Sequence, residues 1–377
     1  MMTGLEKGEM ALQRRHYGID LLRICSMLMI VTLHVLSQGG LLRMAQPTDL
    51  NYAVGWAVEI ACYCAVNCYG LISGYVGVMG RMRLSRILGM WLQVVFYAAG
   101  LRLVCGTLFP ETINIWEWKR GLRPIGYHYY WYFSAYFCVS LCMPALNAAL
   151  RTMRRRESKA VLAALFLLLS VLTTYSREDG FIVAKGYSVL WLAALYLAGG
   201  YFRLYEDKDR MVMLLKRYGF VLYLLSVAVM WMMMVGRWWL TGGVRNLMPD
   251  STITYTYPLV VVSAAALLAA FTRIAPGPKA QRIIALAAPA AFGVYLIHAH
   301  PDVWVTMLIG SFAYLVDMHT GVMLVSLAAS VTGVYAVCTA IELVRIRLFA
   351  LLRINKLCDW LTRPVERWIS AEDEKEI

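Results

Sequence analysis

Three residues in the first long apolar stretch have side chains suited to acid–base chemistry. The stretch "YGIDLLRICSMLMIVTLHV", residues 17–35, contains Asp20, Arg23 and His34. Eleven helical steps of about 100° separate Arg23 from His34, so both lie on one helix face, about 16 Å apart along the axis. Asp20 shares this face, one turn before Arg23. Because a neutral imidazole exchanges protons near pH 7, His34 is a candidate general base or nucleophile.

The composition places this stretch inside a membrane protein. Of the 377 residues, 60% are hydrophobic, and the mean hydropathy is +0.59. That leaves too little polar surface to cover a water-soluble core. An ionisable residue within hydrocarbon must face the protein interior and indicates a functional site. The alternatives are that Arg23 extends its charge to the membrane surface and that His34 only fills a packed interior.

The elements that position these residues are predicted to be membrane-spanning helices. About 20 mostly apolar residues cross about 30 Å of hydrocarbon at about 1.5 Å per residue. Ten segments meet this requirement: 19–38, 53–76, 84–107, 127–146, 159–175, 187–204, 218–236, 257–273, 283–307 and 322–344. Pro289 and Pro301 are expected to interrupt the ninth. Barrel strands would show alternating polarity instead, so the sequence predicts an all-α polytopic protein.

The positive charges predict the orientation of these helices. With a cytoplasmic N-terminus, the connections on that side hold most of the 36 Lys and Arg residues, which places both termini in the cytoplasm. This bias accounts for the net charge of +13, and no basic aromatic-rich domain indicates nucleic-acid binding. We therefore divide the chain into a membrane domain, 1–344, and an amphipathic basic tail, 345–377, on the cytoplasmic surface.

Other titratable residues are predicted at the depth of His34. Glu59 lies about two turns inside the second segment, His128 lies at the start of the fourth segment, and His298 lies in the outer half of the ninth segment. These groups are expected to converge with His34. Alternatively, Glu59 pairs with Arg102 in a structural bridge, and His128 belongs to an aromatic belt at the membrane interface.

The sequence does not predict a zinc site. Histidine and glutamate are zinc ligands. His298 and His300, however, are two residues apart and fall on different helix faces. No ligand spacing therefore supports a metal.

Five motifs in chain order resemble those of the membrane acyltransferase-3 family. The spacing of Arg23 and His34 matches the family's Arg-x10-His pattern in the first helix. The other matching segments are "NCYGLISGYVG" (67–77), "RLSR" (83–86), "YHYYWYFSAYF" (127–137) and "FGVYLIHAHP" (292–301). The resemblance covers essentially the whole chain. The sequence departs from the pattern at Cys68-Tyr69 and around Phe292.

The resemblance implies an O-acyltransferase of the bacterial inner membrane. The donor is cytoplasmic acyl-CoA, usually acetyl-CoA, and the acceptor is a hydroxyl of a sugar or cell-envelope glycan. No permanently bound cofactor is implied. Guanidinium groups suit CoA phosphates, which makes Arg23, Arg83 and Arg86 the expected donor-binding residues. The predicted catalytic pair is His34, as general base or acyl carrier, with Glu59 orienting its imidazole. The acceptor-side or supporting residues are Asp20, Ser73, His128, Trp131 and His298.

A secondary transporter is the alternative from another functional class. Ten helices with polar residues near the bilayer midplane also describe many transporters. Such proteins usually contain a repeated half, and this sequence shows none. A noncatalytic scaffold would leave the Asp20, Arg23 and His34 stripe without a function. The acyltransferase interpretation accounts for more of the sequence.

Overall fold

The computed structural model describes residues 15–127, 129–176, 179–241 and 253–373. Of these described residues, 81% are helical, and none lies in a β-strand. The predicted all-α class is therefore confirmed.

Eleven main helices follow one another in the part of the chain that the structure describes. They are α1 Tyr17–Ser37, α2 Leu50–Gly77, α3 Leu84–Leu108, α4 Trp131–Thr152, α5 Arg155–Ser176, α6 Val189–Tyr205, α7 Arg210–Leu240, α8 Pro258–Phe271, α9 Pro278–His298, α10 Thr320–Leu351 and α11 Ile354–Asp373. Shorter helical turns are Leu41–Met44, Ile115–Leu122, Ala184–Gly186, Pro301–Val303, Trp304–Leu308 and Ala313–Asp317.

Eight helices in the described ranges are long and apolar enough to cross a membrane: α1, α2, α3, α4, α5, α7, α9 and α10. Two further apolar helices, α6 and α8, have 17 and 14 residues, fewer than the roughly 20 that a span needs. Both coincide with predicted segments, so the count of ten and the side of the termini stay predictions. The helices establish a multi-pass membrane protein.

The second predicted segment is not one uninterrupted helix. Helix α2 consists of Leu50–Cys62 and Ala65–Gly77, with a turn between them. At the turn, the Ala61 carbonyl accepts a hydrogen bond from the hydroxyl of Tyr223 at 2.9 Å, and Tyr63 N bonds to Ile60 O at 3.3 Å, three residues back. Neither proline nor glycine marks this break in the sequence.

The ninth predicted segment ends early. Helix α9 stops at His298, and His300 is extended before Pro301 starts a new turn. Proline disfavours helical geometry in the preceding residue, which explains the break at Pro301. Pro289 lies in a 3-10 turn, Ala288–Ala290, inside the continuous span.

The last membrane helix runs further than predicted. Helix α10 continues past residue 344 to Leu351, and helix α11 begins at Ile354. The additional residues of α10 include Arg345, whose long side chain lets its charge reach the membrane surface from a membrane helix. The division of the chain into a membrane domain and a cytoplasmic tail at residue 345 stays a prediction.

The chain divides into two compact units, and α1, α2, α4 and α9 each contribute residues to both. The first contains the described parts of Met1–Ile30, Trp56–Gly80 and Ala145–Pro289. In it, the second half of α2 packs on α6 backbone to backbone, since a Cβ at Gly74 would lie 1.8 Å from the Tyr196 carbonyl oxygen. The Asn67 side chain joins three segments: it donates to Tyr255 O at 2.7 Å and accepts from Trp191 Nε1 at 3.0 Å.

The second unit contains Val31–Gly55, Arg81–Pro144 and Ala290–Ile377 in their described parts. It includes the end of α1, all of α3, the end of α9, and α10 with α11. Tyr130, fully buried, donates its hydroxyl to the Leu296 carbonyl of α9 at 2.8 Å. Most of the polar side chains considered below belong to this unit.

Candidate active site

His34 lies on the last turns of α1, in the second unit, where it is partly exposed. The centroid of its ring is 5.0 Å from that of His298 and 5.0 Å from that of Trp304. Trp304 opens a π-helical turn, Trp304–Leu308, a feature often found at functional sites. His34 therefore has aromatic neighbours on two sides and retains access from outside.

The hydrogen bonds of His298 fix the tautomer of His34. His298 is buried, and its Nδ1 lies 2.6 Å from the Val294 carbonyl oxygen. A carbonyl only accepts, so Nδ1 of His298 carries the proton, and in the neutral ring Nε2 is an acceptor. That Nε2 lies 3.0 Å from Nδ1 of His34. Nδ1 of His34 therefore donates, and its Nε2 keeps a lone pair that can accept a proton.

Two backbone hydrogen bonds hold the segments that carry this histidine pair. After α1, Gln38 O accepts from Gly310 N at 3.0 Å, and Gly39 O accepts from Phe312 N at 2.9 Å. Gly40 and Gly310 have φ angles of +105° and +75°, which side chains with a Cβ rarely adopt. The link between the end of α1 and the segment after Trp304 thus depends on glycine at both positions.

A partly buried ion-pair cluster anchors the segment that follows His298. Arg102 on α3 donates through Nε and Nη2 to Asp302 at 2.8 and 2.6 Å, and through Nη1 to Glu117 at 3.1 Å. The partners of Arg102 are therefore these two carboxylates. A bidentate pair of this kind fixes geometry as well as charge, so it holds the turn after α9 against α3.

His300 has a structural role in the same segment. Its Nδ1 accepts from Asp302 N at 3.1 Å, and its Nε2 lies 3.2 Å from the Ala98 carbonyl oxygen. Both ring nitrogens are therefore occupied by backbone groups, and the ring is fully buried. Of the two histidines near the end of α9, the structure places only His298 against His34.

A cationic cavity of about 410 Å³ lies at the start of α3. Three arginines line it: Arg83, Arg86 and Arg345. Its other lining residues are Ser85, Gly89, Met90, Gln93, Phe349, Asn355 and Asp359. Arg83 and Arg86 were predicted as donor-binding residues, whereas Arg345 was missed because its position resembles an ordinary positive flank of a membrane helix.

A buried carboxylate orients Arg345. Glu342 is 0% exposed and accepts from Gln93 Nε2 at 3.1 Å, from the Tyr97 hydroxyl at 2.7 Å and from two donors of the Arg345 guanidinium. The guanidinium also lies over the Phe349 ring, 4.6 Å from its centroid. Glu342 thus holds one edge of the Arg345 guanidinium and Phe349 covers one face. The remaining edge is left for the cavity.

The other predicted residues of α1 and α2 belong to the first unit. Asp20 is buried and pairs with Arg23 Nη1 at 2.7 Å and with Arg15 Nε at 2.5 Å, so it holds Arg23 in place. Glu59 is buried, and its predicted orienting role stays a prediction. Ser73 donates its hydroxyl to Tyr69 O within its own helix at 2.7 Å.

Two predicted residues precede or begin α4. Trp131 starts the helix and is partly exposed, with its ring 5.6 Å from that of Tyr132. His128 lies outside the described residues. Within the described ranges, no group of three His, Cys, Asp or Glu side chains could hold a metal ion.

Comparison with known protein families identifies the chain. A family described as an acyltransferase domain, acyltransferase-3, matches residues 16–342, from just before α1 to the buried glutamate of α10. The chain belongs to the acyltransferase-3 family. No curated protein and no solved structure matched it.

The chain is thus a multi-pass membrane acyltransferase. The part that matches the acyltransferase-3 family includes His34, His298 and the two arginines of "RLSR". Arg345 and the whole of α11 lie beyond it. Four of the ten residues that line the cationic cavity therefore lie beyond the matched part, while the histidine pair lies within it.

The hydrogen bond between the histidines leads to a prediction about His298. His298→Phe should lower kcat about 10–100-fold, because loss of a buried acceptor removes the bond that fixes the tautomer of His34. The KM for the acyl donor should change little. His298→Gln, whose amide oxygen can take the place of Nε2, should recover much of the rate. Steady-state kinetics on purified protein measures both constants, and equal losses for the two variants would contradict the tautomer argument.

Proposed function

We propose that this acyltransferase moves an acetyl group from cytoplasmic acetyl-CoA to a hydroxyl of a sugar or cell-envelope glycan at a bacterial inner membrane. The observation that carries the proposal is the His34–His298 pair, in which Nδ1 of His34 is engaged at 3.0 Å and Nε2 keeps its lone pair. This arrangement provides a general base for a hydroxyl nucleophile.

The reaction follows from that lone pair. His34 Nε2 takes the proton from the acceptor hydroxyl as its oxygen attacks the thioester carbonyl carbon. The resulting tetrahedral intermediate expels the CoA thiolate as the C–S bond breaks, and the imidazolium returns its proton to the sulfur. The products are an O-acyl ester and free CoA. His298 helps at each proton transfer, because its Nε2 accepts a hydrogen bond from Nδ1 of His34.

An acyl-imidazole intermediate is the alternative route. In it, Nε2 of His34 attacks the thioester first and then passes the acyl group to the acceptor. The two routes differ when no acceptor is present. Incubation with labelled acetyl-CoA alone should leave no label on the protein if transfer is direct, and label on His34 if the acyl group is carried there.

The cationic cavity supports the assignment of the donor. Its arginines offer guanidinium forks that suit phosphate groups. Helix α3 leads from Arg86 in the cavity to Ala98, whose carbonyl contacts His300, a distance of about 18 Å along the axis. The pantetheine arm of CoA is long and extended. It could therefore reach from phosphates held in the cavity toward the segment that carries His298.

Labelled acetyl-CoA supplied to membranes that contain the protein tests the function itself. Acetyl label in a glycan or lipid-linked saccharide supports the proposal. Solute uptake without esterification would support the transporter alternative. Mass spectrometry of envelope glycans with and without the gene would then identify the acceptor and the acetylated position.

A further prediction concerns the sides from which the substrates approach. The arginines of the cavity are predicted at the cytoplasmic surface, and helix length predicts that His34 lies beyond the midplane. In sealed inside-out vesicles, acetyl-CoA added outside should therefore support acetylation of an acceptor trapped in the lumen. Measured ester formation would decide this. Acetylation that requires donor and acceptor on the same side would mean that the enzyme acts within one compartment.

A further inference from the structure

The C-terminal helix α11 starts where a membrane helix ends. Helix α10 is long and apolar enough to span a membrane and stops at Leu351. Helix α11 begins three residues later, at Ile354, after Arg353 turns the chain with a φ of +53°. Such a short connection keeps the first turn of α11 at the membrane surface.

One face of α11 packs on other helices of the second unit and reaches the cationic cavity. Steps of about 100° place five residues of this face within an arc of about 100°: Asn355, Cys358, Asp359, Thr362 and Glu366. Cys358 and Thr362 are buried, and Glu366 Oε1 accepts from Ser85 N at 3.4 Å. Asn355 and Asp359 line the cavity, where Asp359 lies 3.7 Å from Arg83.

The opposite face of α11 is apolar and exposed. It carries Leu357, Trp360, Leu361, Val365 and Trp368, all exposed, within an arc of about 140°. The two tryptophans are 64% and 65% exposed. An apolar face rich in tryptophan is typical of helices that lie in the membrane interface.

The charges of α11 are segregated in the same way. Its cations up to residue 369 are Lys356, Arg363 and Arg367, which are exposed and lie along one edge of the apolar face. Both acidic residues of this stretch, Asp359 and Glu366, lie on the packed face. The outward surface is therefore cationic and apolar together, a combination that complements anionic lipid headgroups above acyl chains.

We propose that the outward face of α11 binds the anionic lipid surface of the membrane from which α10 emerges, and that this contact holds Asn355 and Asp359 in the wall of the cavity. Lipid binding is independent of the proposed function. Its consequence for the cavity rests on that function, since it takes the cavity as the donor site. Bilayers rich in anionic lipid should then fix the wall and favour donor binding.

Hydrogen exchange tests the lipid contact directly. The full-length protein is placed in nanodiscs of phosphatidylcholine alone or mixed with phosphatidylglycerol, without CoA. Peptides that cover α11 should exchange about tenfold more slowly, or slower still, in the anionic discs. The triple variant Lys356→Gln, Arg363→Gln, Arg367→Gln should lose this difference. Equal exchange of the unaltered protein in both lipids would overturn the proposal, as would protection that appears only when two copies occupy one disc.

A matched variant separates the contact from general surface charge. Arg154→Gln, Arg155→Gln, Arg156→Gln removes the same charge at the start of α5 and should leave the exchange of α11 unchanged. In anionic discs, the α11 variant should bind CoA several-fold more weakly than this control. Equal affinities would refute the effect on the cavity. If the unaltered protein binds no CoA, the proposed function fails, whereas the exchange measurement still decides lipid binding.

Discussion

Replacing His34 by alanine is expected to lower the rate of acyl transfer about 10²–10⁴-fold, the usual contribution of a general base. The imidazole Nε2 is the atom that the hydrogen bond from Nδ1 to His298 leaves available. Alanine removes this acceptor and adds no bulk to α1. The rate of labelled ester formation by purified protein in lipid measures the effect.

Two further variants show what a loss of activity means. His34→Gln keeps a polar side chain of similar length but supplies no basic nitrogen, so it should be nearly as inactive as alanine. His319→Ala removes an exposed histidine that caps α10 and should keep near-normal activity. All three proteins should be recovered from membranes in similar amounts. Substantial transfer by His34→Ala would mean that another group takes the proton.

Much of the fold could be predicted because each membrane helix corresponds to a continuous apolar run in the sequence. Helix α1 begins and ends within two residues of the predicted bounds. The details that failed depend on contacts distant in sequence. The break in α2 coincides with a hydrogen bond from the hydroxyl of Tyr223, a residue far away in the sequence, so no local pattern marks it. Helix α8, Pro258–Phe271, by contrast lies within two residues of its predicted bounds.

In the site, too, residues marked by local spacing could be predicted, whereas residues defined by partners far away in the sequence could not. Spacing and depth singled out His34 and His298, and the structure joins them at 3.0 Å. Their catalytic roles stay predictions. Asp302 and Arg345 escaped notice for different reasons. The partner of Asp302 is on α3, 200 residues away in sequence, and Arg345 looked like part of the positive flank until its pairing with Glu342 was visible.

The second unit contains both chemical ends of the proposed reaction. Helix α3 carries Arg86 at the cavity, Gln93 against Glu342, and Arg102 against Asp302. One helix therefore carries both the groups that would bind the donor and the groups that hold the segment beside His298, at a set spacing. A rigid α3 would therefore set the distance between phosphate site and base. Donor binding and chemistry should consequently respond separately to variants at its two ends.

Arg83→Gln combined with Arg86→Gln should weaken CoA binding about 10–100-fold. Each charge-assisted hydrogen bond to phosphate contributes about 1.5–3 kcal/mol. The combined effect is expected below the sum, because both arginines are exposed and solvent screens their charges. Arg345 would remain, since Glu342 holds it independently. Titration calorimetry with CoA on the protein in nanodiscs gives the dissociation constant, and kcat at saturating donor should be nearly unchanged.

The matched control is Arg154→Gln combined with Arg156→Gln, which removes the same charge from exposed positions at the start of α5. If both double variants bind CoA equally weakly, the arginines act only through overall surface charge, and the cavity is not a specific binding site for CoA. If only the cavity variant is weakened and its kcat also falls, the phosphates align the thioester as well as hold the donor. Unchanged affinity in the cavity variant would show that CoA does not bind through this cavity, and its three arginines would then need a different function.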